Sequence, residues 1–113
     1  MLELIDESKI YELSHSSGAV FILKEWTVGM QEEVDRRCLV PKPGGNFEFL
    51  VSLERELKIS LSVHDWKGVA SGGSEVPCTP ENKKKLPVGV IYWLVKEIDE
   101  RSGIRMPEDQ KKN

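Results

Sequence analysis

The side chains best suited to metal binding or nucleophilic chemistry are two histidines and two cysteines, and they are scattered along the chain. They are His15, Cys38, His64 and Cys78. Zinc sites usually draw ligands from closely spaced pairs of cysteines or histidines, and no two of these four residues have that spacing. The sequence therefore predicts no metal site and no cofactor, and two free thiols are typical of a cytosolic protein.

The adjacent pair His64 and Asp65 raises the hypothesis of a general base oriented by a carboxylate. Neighbouring side chains on a helix seldom point at each other, and no serine or cysteine nearby lies in a nucleophile turn. A pair formed by Cys78 and His64 stays open as an alternative, because folding could bring the two together. With no recognisable catalytic constellation, the sequence favours a protein that is not an enzyme.

Two short segments could in principle bind anions. Residues 71–74, Ser-Gly-Gly-Ser, lack the spaced glycines, the Lys-Ser/Thr ending and the preceding strand of a phosphate loop, so they predict a flexible hinge. Lys83, Lys84 and Lys85 form a basic run. Such a run is typical of a solvated helix face, and the alternative is contact with an anionic partner.

The length and charge of the chain restrict the classes of function. With 113 residues, the sequence predicts a single domain over residues 1–103 and a flexible tail over 104–113. The net charge of -3 gives no basic excess for nucleic acid, and no apolar run is long enough to span a membrane. The acidic start lacks the basic region of a secretory signal, so a cytoplasmic location is expected.

The N-terminal third predicts strands. Residues 1–8 alternate in polarity and could form a short edge strand, and residues 9–13 and 19–23 predict a β-hairpin around the polar turn at 14–18. Because two strands alone are only marginally stable in water, they must pack on helices or pair with another chain. Homo-oligomerisation therefore stays open.

Two helices follow in the prediction. Thr27 can cap a helix over residues 28–39, which the Pro- and Gly-rich linker at 41–45 ends. Asn46 can cap a second helix that continues to about Ser62. Residues 57–63 also alternate as a strand would, so their assignment stays open.

Between the second helix and the last lies a stretch of anchoring and capping residues. Trp66 stands beside a glycine turn containing Gly68, which suits a large side chain that fixes a connection onto the core. Thr79 can cap a short helix over 80–85, and Pro80 suits its first position. We therefore expect a helix to end here and to be followed by a tryptophan anchor, a flexible loop and a new helix. The expected structural anchors are Trp66, Gly68, Thr79 and Pro80.

The last helix has the strongest apolar pattern, and Gly103 can end it. Its core stripe is Val90, Ile91, Leu94, Val95 and Ile98. Trp93 lies off the centre of this stripe, so it either widens the core face or faces a partner. Together these patterns predict an α+β fold, in which an N-terminal β-hairpin precedes a mostly α-helical domain of three to four helices.

The order of these elements, together with the segments 65–69 (Asp-Trp-Lys-Gly-Val) and 76–82 (Val-Pro-Cys-Thr-Pro-Glu-Asn), resembles the small tail assembly chaperones of long-tailed bacteriophages and prophages. In that group a W-x-G-[VI] turn and a P-x-T-x-E-N stretch link the two C-terminal helices. The resemblance extends over roughly residues 9–103. The stiff linker around Pro41 and Pro43 departs from the pattern, as does the Ser-Gly-Gly-Ser segment where a more acidic turn is expected.

The resemblance implies a non-enzymatic protein of the bacterial host cytoplasm. Such chaperones bind the tape-measure protein and help tail tube subunits assemble around it, often as a short form and a frameshifted long form, and this chain looks like the short form. The alternative is a small cytosolic adaptor or regulatory protein-binding domain unrelated to phage tails. From the apolar excess beside the helix stripes, the hypothesis for partner-binding residues is Phe47, Val51, Val90 and Trp93.

Overall fold

The structure, a computed structural model, describes residues 1–103. Its elements in chain order are β1 (Ile10–Ser14), β2 (Val20–Lys24), α1 (Val28–Cys38), β3 (Leu39–Pro41), β4 (Phe47–Phe49), α2 (Val51–Ser62), β5 (Val63–Lys67), β6 (Ala70–Ser71), β7 (Ser74–Glu75), α3 (Pro80–Lys83) and α4 (Val88–Ser102). The predicted α+β class and the initial hairpin are confirmed. The description as mostly α-helical holds only in part, because antiparallel strands recur between the helices. The predicted tail lies outside the described residues.

The main sheet has three antiparallel strands in the order β1-β2-β5. In the central strand, Phe21 and Leu23 are two residues apart and therefore share one face, where both are buried. The prediction of the hairpin is correct to within a residue at each end. No strand forms over residues 1–8, which are exposed throughout.

The third strand, β5, contains a β-bulge at His64. Ile22 pairs with Asp65 whereas the next residue, Leu23, pairs with Val63, so His64 is an extra residue in the ladder. Without the bulge, Val63 and Trp66 would point to opposite faces of the sheet. With it, both are buried on the core face, opposite Leu23 and Phe21.

Residues 39–49 form a second hairpin where the sequence predicted a linker followed by a helix. Leu39 pairs with Phe49 and Pro41 pairs with Phe47. The Lys42 N–H donates to the Asn46 carbonyl at 2.7 Å and closes the turn. Asn46 therefore belongs to a hairpin turn and caps no helix; α2 begins at Val51, after a residue that gives it no side-chain cap.

Helix boundaries elsewhere follow the predicted caps. The Thr27 hydroxyl accepts from the Met30 N–H at 3.2 Å at the start of α1, and Gly103 ends α4 with a φ of +81°. The ambiguity at residues 57–63 is settled in favour of a helix that continues to Ser62, with the strand beginning at Val63. The predicted flexible hinge at 71–74 instead joins β6 to β7.

The core lies between one face of the main sheet and helices α1, α2 and α4. Its buried side chains come from every one of these elements and from the segments that join them: Ala19, Phe21, Leu23, Trp26, Val34, Cys38, Leu57, Ile59, Val63, Trp66, Leu86, Leu94 and Ile98. Within residues 1–103 no helix has the length and apolarity needed to cross a membrane.

Candidate functional site

The four residues considered for metal chemistry lie in different environments. Cys38 is buried at the end of α1, Cys78 is half-buried before α3, and His64 is exposed on β5. His15 lies in the first hairpin turn, where its Nδ1 is 2.7 Å from the Ser17 hydroxyl. Across residues 1–103 there is no cluster of three or more His, Cys, Asp or Glu side chains that could hold a metal ion.

The thiols and the His64–Asp65 pair do not form an activated nucleophile in this arrangement. Burial raises the pKa of Cys38 and the pKa of Cys78, and a raised pKa lowers the fraction of reactive thiolate at neutral pH. The Asp65 carboxylate accepts the Trp66 backbone N–H at 2.8 Å, so it is engaged with its own strand. Within the described part of the chain, no hydrogen bond joins Cys78 to His64.

The glycine-rich segment at 71–74 does not form a phosphate-binding loop. Gly72 and Gly73 have φ values of +61° and +85° and make a two-residue turn between β6 and β7. A strand does precede the glycines, contrary to expectation, but a second strand follows them in place of the helix that a phosphate loop requires.

Trp66 lies at the junction of the main sheet and the segment that leads to α3. Its side chain is buried, its ring meets the Phe21 ring edge-on at 6.2 Å, and its Nε1 donates to the Val76 carbonyl at 2.8 Å. Gly68 has a φ of +72°, and a Cβ there would lie 3.3 Å from the Gly18 carbonyl oxygen. Trp66 therefore joins two distant parts of the chain, and a side chain in place of Gly68 would be strained by the positive φ and closely approached by the backbone of Gly18 and Ala19.

Thr79 and Pro80 start α3. The Thr79 hydroxyl accepts from the Asn82 N–H at 3.1 Å, and Pro80 occupies the first helical position. The Asn82 side chain donates in turn to the Pro77 carbonyl at 2.9 Å. These bonds fix the start of α3.

Several exposed apolar side chains lie together on the second hairpin. Strand alternation and register place four apolar side chains on one side of it, and the surface continues onto the start of α2. We call this set the hairpin face: Leu39, Pro41, Phe47, Phe49 and Val51. Phe47 is 64% exposed, Val51 52%, Leu39 49% and Phe49 38%. Two members, Phe47 and Val51, belong to the partner-binding set expected from the sequence.

The other two members of that set lie elsewhere, on α4. Val90 and Trp93 are half-buried and pack against the core, and the Trp93 ring approaches the His15 ring at 4.8 Å and the Phe21 ring at 6.1 Å. The aromatic residue that α4 exposes is Tyr92, which is 53% exposed and carries the Arg55 guanidinium 5.1 Å from its ring centroid. The structure thus leaves Phe47 and Val51 exposed near the second hairpin, whereas Val90 and Trp93 pack against the core.

Sequence reasoning missed Leu39 and Phe49 because the hairpin itself was not predicted. The available signal was the apolar alternation in Phe47-Glu48-Phe49 beside Pro41 and two glycines, which is a strand and turn pattern. Comparisons with models of known families, with curated proteins and with solved structures give no match to this chain.

Proposed function

We propose that this protein is a non-enzymatic tail assembly chaperone, which binds apolar helical segments of a tape-measure protein in the host cytoplasm and helps tail tube subunits assemble around it. The class of partner comes from the resemblance of residues 65–69 and 76–82. The physical support comes from the hairpin face. An apolar surface of this kind can bind the apolar segment of any partner, so it does not by itself identify the tape-measure protein.

The observation that carries the proposal is the exposure of four apolar side chains on one side of a two-stranded hairpin, with the exposed Val51 two residues later at the start of α2. Scattered exposed apolar residues are ordinary, whereas a contiguous apolar surface of this kind marks a site of protein interaction. A lone two-stranded ribbon is also only marginally stable in water, so covering it with a partner would stabilise both. Charged side chains lie on the other side, where Lys42 Nζ is 3.3 Å from Glu48 Oε1.

The energy available from this surface suits a chaperone that must release its partner. Fully burying a Phe side chain contributes about 1.5–3 kcal/mol, so covering the exposed part of Phe47 contributes about 1–2 kcal/mol. The entropy lost when the two proteins associate offsets much of the free energy gained by burying the side chains of the hairpin face, so we expect moderate affinity. An assembly factor needs such reversibility because tail tube subunits must replace it.

The first test is genetic and needs no protein: a tape-measure gene immediately downstream supports the proposal. The second is co-expression of that partner with wild type and with Phe47→Thr. Thr keeps a high strand propensity, and Phe47 is largely exposed, so we expect an unchanged melting temperature and a clear loss of soluble partner. Glu48→Gln, on the opposite side of the same strand, is the matched control.

The outcomes separate folding from binding. If Phe47→Thr melts like wild type and still keeps the partner soluble, the hairpin face is not the binding surface. If the variant and Glu48→Gln reduce solubility equally, the loss comes from the hairpin as a whole and the assignment of its apolar side fails.

A further inference from the structure

A half-open groove of about 420 Å³ lies between α2, α3 and α4. Its lining on α2 begins at Ser52, so α2 contributes to both the groove and, through Val51, the hairpin face. Ile59 on α2 and Ile91 on α4 provide apolar lining, and Pro80 closes one side. A volume of this size accommodates a few side chains of a bound segment.

The charges around the groove are mostly positive. Arg55, Lys83 and Lys84 line it with one carboxylate, Glu56, although the whole chain has a net charge of -3. The sequence left two interpretations of the lysine run, a solvated helix face and contact with an anionic partner. The three lysines do not all lie in the same environment. Lys83 and Lys84 line the groove, and Lys85 is exposed outside it.

The three cationic groups make only weak contacts with their own chain. Lys84 Nζ lies 3.5 Å from Glu56 Oε1 between two exposed side chains, and Lys83 Nζ lies 3.4 Å from the Ser60 carbonyl oxygen. The Arg55 guanidinium rests over the Tyr92 ring. Exposed contacts of these kinds contribute little stability, so a carboxylate from outside could replace them at small cost.

We propose that this groove binds an acidic segment of the partner protein, with its carboxylates against Arg55, Lys83 and Lys84 and an apolar side chain over the half-buried Ile91. This inference rests on the proposed function, because it names the chemistry of the segment that the chaperone binds. Both surfaces involve α2, because Val51 at its start belongs to the hairpin face and Arg55, one turn later, lines the groove. Specificity then comes from charge, and the hairpin face supplies apolar contact.

A protein segment fits this groove better than nucleic acid does. Phosphate backbones select broad positive surfaces with many cationic contacts, and here three cations surround an apolar centre on an acidic chain. A single-stranded oligonucleotide is therefore a useful competitor in the test, and its binding more tightly than an acidic peptide would overturn the proposal.

The test uses two synthetic helical peptides with the same apolar residues, one flanked by Glu and the other by Lys, and measures binding to the full chain by fluorescence anisotropy. We expect the Glu peptide to bind about tenfold or more tightly than the Lys peptide, and we expect added salt to reduce the difference. The double variant Lys83→Glu with Lys84→Glu should reverse this preference. Lys83→Gln with Lys84→Gln, which adds no negative charge, should abolish it.

Lys85→Glu is the matched control, because it changes the same charge in the same run outside the groove, and its affinity should stay within about twofold of wild type. Equal binding of the two peptides, no binding of the Glu peptide, or an equal effect of Lys85→Glu would each overturn the proposal. The peptide assay needs no tape-measure protein. If groove variants lose the peptide but wild type does not keep the tape-measure protein soluble, the proposed function fails and the groove stands. If wild type keeps that protein soluble but does not prefer the Glu peptide, only the groove proposal fails.

Discussion

Lys58 and Asp99 form a buried ion pair that joins α2 to α4, with 2.7 Å between Lys58 Nζ and Asp99 Oδ1. Both side chains are almost fully enclosed, and Glu54 Oε2 lies 3.9 Å from the same ammonium group. Such a pair contributes little net stability, because desolvation of the two charges opposes their attraction. Its geometric effect is larger, since it fixes the relative position of α2 and α4, two of the three helices that line the groove.

Replacing one residue of this pair should lower the free energy of unfolding strongly, whereas replacing both with apolar residues should lower it little. Lys58→Met leaves Asp99 buried without its cation, and we expect a loss of about 3–5 kcal/mol in the free energy of unfolding. Adding Asp99→Leu should restore most of that loss. Chemical denaturation of the two single variants and the double variant measures the coupling, and additive losses would contradict the account.

Trp66 should be required for stability. Trp66→Ala removes a buried ring and its bond to Val76, which we expect to cost about 3–5 kcal/mol of a total of roughly 5–15 kcal/mol. Trp66→Phe keeps most of the packing and loses only the donor, at about 0.5–1.5 kcal/mol. Thermal melts of both variants test this order. An alanine variant that melts like wild type but loses the partner would place Trp66 in the interface instead.

The parts of the fold that the sequence predicted are those where local signals and tertiary packing agree. Thr27 caps α1 and Gly103 ends α4, because a hydroxyl before a helix and a glycine after it act locally. β5 escaped prediction because its apolar residues, Val63 and Trp66, are three apart, and only the bulge at His64 brings them to one face.

The candidate site was less predictable than the fold. Phe47 was singled out from the sequence as an apolar excess, and it is exposed, but it was placed on a helix. Leu39 and Phe49 were not connected to it, because strands pair only in the folded chain. The groove could not be predicted from the sequence, because Arg55 and Lys83 are far apart along the chain and line the same groove only when α3 packs beside α2.

The bulge predicts an unusual difference between substituting and deleting one residue. His64→Ala removes an exposed side chain and should change stability by no more than about 0.5 kcal/mol. Deleting His64 forces a choice between Val63 and Trp66 on the core face, because the ladder then alternates regularly. We expect the deletion to unfold the protein or lower its melting temperature sharply; equal melting of the two variants would refute the bulge.

Tyr11 should make stability dependent on alkaline pH. Burial of its hydroxyl, with Glu25 nearby, raises the pKa of Tyr11 to about 12, while Arg101 stacks 3.7 Å from the centre of its ring. The folded state therefore holds this proton more tightly than the unfolded state, whose tyrosine pKa is about 10. The resulting stabilisation is complete below about pH 10 and is lost between about pH 10 and pH 12.

Comparison with Tyr11→Phe isolates this effect from the titration of lysines. Between about pH 9 and pH 11.5 the melting temperature of the wild type should fall by more than that of Tyr11→Phe. The reason is that residue 11 can ionise in the unfolded wild type but not in the unfolded variant. A constant difference between the two proteins over that range would contradict the raised pKa.

The most direct measurement of the central claim is amide hydrogen exchange of this protein, alone and in the presence of the tape-measure protein that we propose as its partner. The account predicts that binding slows exchange across residues 39–51, which contain the hairpin face, and leaves the turn at 14–18 unchanged. Protection confined to the first hairpin and the α4 side around Trp93, with none at 39–51, would contradict it.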